Sequence, residues 1–107
     1  MGVDAVLRVG DEIVVGLPDP SGGTFDAAGD FDRLLPLDEA AFPTLSRIDL
    51  DGIVEFGQPD MAAIVREVES MLPLTKTGRE RRGILRLQAL AARGSEIPLA
   101  TLRVTGD

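Results

Sequence analysis

Apolar and polar residues alternate from Val3 to Val9, with Val3, Ala5 and Leu7 on one side and Asp4, Val6 and Arg8 on the other. A period of two is the signature of a strand with one buried face. Gly10-Asp11 separates this run from Glu12-Ile13-Val14-Val15-Gly16-Leu17. Glycine at the first place of a two-residue loop suits a type II′ turn, so a β-hairpin is expected. Pro18 and Pro20 close its second strand, because neither has an N–H to give to a ladder. From 18 to 44 no period holds, and Pro18 to Thr24 reads as loop. Leu34, Leu35 and Leu37 are expected to tie this segment to the core, and Asp38 to Phe42 to form one helical turn before Pro43. An irregular connection of this length is more often functional, or mobile, than a plain connector.

Ile48 and Leu50 share one side of a strand expected over Leu45 to Leu50. Asp51-Gly52 has the type I′ turn composition, and Ile53 to Phe56 is the expected return strand of a second hairpin. Then the period changes. Met61, Ile64, Val65, Val68, Met71 and Leu72 cover a stripe of about 120° on a helical wheel. Pro59 and Asp60 suit the first turn of this helix, Pro73 its end, and Arg66, Glu67, Glu69 and Ser70 its wet side. Thr77-Gly78-Arg79-Glu80 has capping-box spacing and opens a second helix that runs to about Arg93, with Gly94 as its stop. Pro98 introduces a last strand, Leu99 to Val104. The pattern predicts one α+β domain over 1–107: a small antiparallel sheet, made of two hairpins and a C-terminal strand, with two helices packed on one face.

Composition narrows the chemistry. The 107 residues contain no Cys, His, Trp or Tyr. Thiolate and imidazole catalysis, sulfur-ligated metals and the strongest stacking platforms are therefore outside the repertoire. No cofactor is expected. The start carries an acid where a signal peptide needs bases, and no apolar run reaches bilayer length, so a cytoplasmic protein without membrane contact is expected. Ten Arg against one Lys, with abundant Ala, Gly, Asp and Val, suggests a GC-rich bacterial genome.

Charge is unevenly distributed. Residues 1–60 hold 13 acids and 3 bases, while residues 61–107 hold 5 acids and 8 bases, for a formal total of −7. Such asymmetry points to an interaction surface, and the acidic half disfavours nucleic acid. Asp19, Asp26, Asp30 and Asp32 lie on the long loop, with Asp49 and Asp51 nearby. Their residue type suits a hard cation, but neither they nor Asp49-Leu50-Asp51-Gly52 has EF-hand spacing, and turn formation or helix capping accounts for them. Gly22-Gly23-Thr24 lacks the rest of a phosphate loop.

Arg79, Arg82, Arg86 and Arg93 fall within about 60° of one another on the second helix, an ordinary solvated face unless an anion or acidic partner covers it. Ile84, Leu87, Leu90 and Ala91 form the expected buried side. Leu85, Ala89 and Ala92 form a second apolar side, to be covered by another layer of the fold or by a second chain.

The expected function is that of a non-catalytic protein-binding module of inhibitor or immunity type. Its contact residues would be the six aspartates Asp19, Asp26, Asp30, Asp32, Asp49 and Asp51, with Arg79, Arg82 and Arg86. The partner would be another protein, basic if the acids lead, or a second copy in a homodimer. A small-molecule or divalent-cation-binding domain, with the 18–44 segment as lid or metal loop, is one alternative. A carboxylate-dependent enzyme is the other.

Overall fold

The computed structural model describes residues 3–10, 12–13, 24–26, 32–35 and 37–106, and of residues 3, 13, 24–26 and 32 the backbone alone. In chain order the elements are β1 (Val3–Val9), β2 (Glu12–Ile13), β3 (Thr24–Asp26), β4 (Ile53–Phe56), α1 (Gln58–Met71), α2 (Gly78–Ser95) and β5 (Ala100–Gly106). The architecture is α+β, as the pattern predicts, with both helices packed against an open antiparallel sheet.

Three strands carry the sheet. β5 lies between β1 and β4 and pairs antiparallel with each, while the short β2 and β3 both pair with the other edge of β1. The register sets Ala5 opposite Val104 and Leu7 opposite Leu102, with Phe56 on the far side of Leu102. These residues are all buried, so period-two alternation becomes one apolar face under the helices. Met61, Ile64, Val68 and Met71 of α1 and Ile84, Leu87, Leu90 and Ala91 of α2 complete the core. Gly10 sits at φ 61°, as the first place of a primed hairpin turn requires, and Val9 pairs with Glu12 across it. Val14 to Leu17 lie outside the described residues.

The second hairpin does not form. Leu45–Arg47 is a turn of 3-10 helix, and the partner of β4 is β5. Phe42, Leu45 and Ile48 recur every three residues and all are buried, which is a 3-10 period rather than a strand period. Gly52 is not in the left-handed region that a type I′ turn demands. Instead Asp49 folds back to accept the Asp51 N–H at 2.8 Å, and Gly106 donates to the Gly52 carbonyl at 2.7 Å. The other expectations for this stretch hold. Phe42 donates back to the Asp38 carbonyl at 2.8 Å, closing one helical turn. Leu35 is buried, and Leu34 and Leu37 pack against the core.

Glu67 is not on the wet side of α1. It is 9% exposed, and its Oε1 accepts the Leu45 N–H at 2.8 Å and the Thr44 N–H at 3.1 Å. A carboxylate on α1 thus caps the 3-10 turn from across the fold, meeting donors that the turn cannot satisfy itself.

Gly94 does not stop α2. The helix continues to Ser95, and a Cβ at Gly94 would come within 2.9 Å of Leu7 Cδ1, so its smallness serves close packing against β1. The left-handed residue of the following turn is Leu99, at φ 68°. Gln58 Nε2 meets the loose end of α2, donating to Gly94 O at 2.8 Å and Ile97 O at 2.7 Å. Arg47 closes the outer edge of β4: it stacks 4.9 Å from the Phe56 ring centre, pairs with Asp60 at 3.3 Å and donates to the Glu55 carbonyl at 3.4 Å.

Removing the buried cap should therefore cost more than removing an exposed neighbour. Glu67→Ala should lower unfolding free energy by about 2–4 kcal/mol in urea titration, because the buried Leu45 N–H and the half-buried Thr44 N–H lose a charged acceptor. Arg66→Ala, one residue away and exposed, should stay within about 0.5 kcal/mol of the unmodified chain. Equal losses for the two would contradict the capping role.

Candidate functional site

Helix α2 begins where Thr77 Oγ1 accepts the Glu80 N–H at 3.1 Å. The capping box is completed one residue earlier than its spacing predicts. Glu80 reaches back to the Lys76 N–H at 2.8 Å, and it also receives Arg33 in a two-pronged pair, Nε to Oε2 at 2.5 Å and Nη2 to Oε1 at 2.8 Å. Arg33 belongs to the 3-10 turn Asp32–Leu34, so this pair ties the segment before the core leucines to the start of α2. The Arg33 guanidinium, and after it the Lys76 N–H, hold the Glu80 carboxyl at about 2 against the opposing effect of burial, well below its ordinary 4.5.

With its start fixed in this way, α2 turns Glu80, Gly83, Ile84, Leu87, Leu90, Ala91 and Gly94 inward. At about 100° per residue, Leu85, Ala89 and Ala92 centre roughly 170° away from that side. They face away from the sheet and from α1. Leu85 is 36% exposed, Ala89 half-buried and Ala92 exposed. Of the two ways to cover the second apolar side, an intramolecular layer is not supplied by the described residues.

A shallow groove of about 360 Å³ runs along this face, lined by Gly78, Arg81, Arg82, Leu85, Arg86 and Ala89. The positions recur at i, i+3, i+4, i+7, i+8 and i+11, a single stripe of helix surface. Its floor is Leu85 with the small Gly78 and Ala89. Arg81 flanks one side, and Arg82 and Arg86 the other. Arg81 and Arg82 are exposed and make no ion pair among the described residues. The guanidinium stems extend the apolar floor while their heads stay in water. Other large exposed apolar residues, Ile53, Leu74 and Leu99, belong to β4 and to the turns around α2.

Arg82 and Arg86, anticipated from the helical wheel, thus stand together on the groove. Arg79 is exposed on the same helix, outside the lining. Arg81 was not among the expected contacts. The signal for it was available, since it lies beyond the second apolar side and borders it opposite Arg82. The expected acids are less informative. Asp19 and Asp30 lie outside the described residues. Asp26 pairs in register with Asp4, and Asp32 opens a 3-10 turn, with only their backbones described. Asp49 and Asp51 are exposed, and Asp49 accepts the Asp51 N–H within its own turn. Among the described residues no group of three or more acidic side chains converges on a position for a metal ion. No helix among them is long and apolar enough to cross a membrane. Comparison with known protein families, with curated proteins and with solved structures returned no match.

The Glu80 network makes a signed pH prediction. A carboxyl lowered from 4.5 to about 2 stabilises the fold above 4.5, and that contribution is lost as the pH falls toward 2. Unfolding free energy should decline across this window, and Glu80→Gln should flatten the decline while lowering stability at neutral pH. A variant with an unchanged acid limb would show that Glu80 is not held as described.

Proposed function

We propose that this protein is a non-catalytic protein-binding module, and that the outer face of α2 is its contact surface. One observation carries the reading: a stripe of apolar residues on the solvent side of a helix, opposite its buried side and bordered by Arg81, Arg82 and Arg86. Apolar anchors ringed by arginine are the composition of interface centres, where Arg is enriched and aliphatic floors exclude water. The chain's chemical inventory supports the same reading, since it contains neither Cys nor His. An inhibitor or immunity-type protein, which acts by occupying another protein's surface, needs nothing further. The acidic residues of the long loop would instead steer a basic partner, which is the competing outcome of the test.

The test uses the intact chain as bait in lysate of its native host at low salt. A stoichiometric protein should be retained by the unmodified chain and by Arg66→Ala, and lost with Leu85→Glu. A partner retained equally by Leu85→Glu, or lost only when Asp49 and Asp51 are both changed to Lys, would move the contact surface off α2 and contradict the proposal.

A further inference from the structure

We infer that the groove on α2 takes an acidic amphipathic helix, with leucine-type side chains seated along Leu85 and Ala89 and flanking carboxylates on Arg81 and Arg82. This rests on the proposed binding role of that face and specifies the partner's chemistry. Three observations lead to it.

The first is charge. The chain carries −7 overall, yet every charged side chain lining this groove is an arginine. Arg81 and Arg82 stand on opposite flanks of the floor without ion pairs among the described residues. A ligand lying along the groove therefore gains charge-assisted contacts on both sides only if it carries acids on both sides.

The second is shape. From Gly78 to Ala89 the stripe is about 16 Å long at 1.5 Å per residue. Gly78 and Ala89 bracket Leu85, so low positions alternate with a ridge along the helix axis. A second helix packs into such a surface by interdigitating side chains spaced three and four apart.

The third is symmetry. Two copies meeting through this face about a two-fold axis would set Arg81 and Arg82 of one against the same residues of the other. Like charges at an interface centre oppose association. A head-to-tail contact between copies would leave a groove free at one end unless its rotation closed a ring. A separate acidic chain meets neither obstacle. Phosphate backbones would meet the arginines but leave the aliphatic floor uncovered.

The experiment measures fluorescence anisotropy of the full chain with labelled synthetic peptides at low salt. The first peptide is a helix former with leucines at successive three- and four-residue spacings, bordered on both sides by glutamates. The second has lysines for the glutamates, and the third alanines for the leucines. The first should bind saturably, and each replacement should weaken it by about tenfold or more. Arg81→Glu with Arg82→Glu, or Leu85→Glu, should weaken it equally, with urea midpoints confirming that the variants fold. Equal binding of the glutamate and lysine peptides, or no binding of the first, would overturn the inference.

Sedimentation and two further ligands separate the alternatives. A concentration-dependent dimer abolished by Leu85→Glu would assign the face to a second copy, overturning the acidic helix but keeping the binding role. Preference for single-stranded RNA or for anionic vesicles over the first peptide would overturn both. A host partner sensitive to Leu85→Glu, with no response to any peptide, would refute the inference alone.

Discussion

A sheet covered by helices on one side only has a single interior, and each helix can turn only one side toward it. That constraint governs α2. Ile84, Leu87, Leu90 and Ala91 claim its inner side by packing against β1, β5 and α1. Leu85 and Ala89 point the opposite way and are left outside the two layers. Apolar burial stabilises a fold in proportion to area removed from water. Leu85 stays 36% exposed and Ala92 is exposed, so part of this apolar side is left uncovered by the described residues.

Polar side chains then fix the helices in place by reaching between elements. Glu67 of α1 caps the 3-10 turn at Leu45, Gln58 of α1 accommodates the carbonyl end of α2, and Glu80 of α2 holds Arg33 and the Lys76 N–H. Glu67 and Glu80 serve backbone N–H groups at the starts of turns and helices, while Gln58 adds a second donor to carbonyls that already accept local N–H groups. These contacts also position the face of α2 proposed as the contact surface. The pair between Arg33 and Glu80 sets the start of α2, and the groove begins at Gly78, two residues before Glu80.

The regular elements were legible because their apolar period is local. Val3 to Val9 alternate, and Met61 to Leu72 and Ile84 to Ala91 recur at helical spacing, so β1, α1 and the buried side of α2 follow from neighbours in the chain. What was not legible depends on partners far away in sequence. Leu45 to Leu50 reads as a strand until Glu67, 22 residues later, is seen to cap its first turn. Glu67 itself looks solvated on a wheel because the N–H groups that donate to it belong to another segment. Gly94 reads as a helix stop, yet its size is required by Leu7 across the core. The same holds for the site. The wheel gave Arg82, Arg86 and the second apolar side, whereas the side bordered by Arg81 and its exposure became visible only with the two layers assembled.

A docking role requires the outer face of α2 to be dispensable for folding. That requirement is tested most directly by comparing the urea unfolding of Leu85→Glu with that of Leu87→Glu, two positions apart on one helix. Leu87 is fully buried and Leu85 is not. Leu85→Glu should keep unfolding free energy within about 0.5 kcal/mol, while Leu87→Glu should lose about 3 kcal/mol or more, through an unpaired charge in the core. A comparable loss at both positions would mean that Leu85 is covered by the fold itself, and the account of α2 as a docking surface would fail.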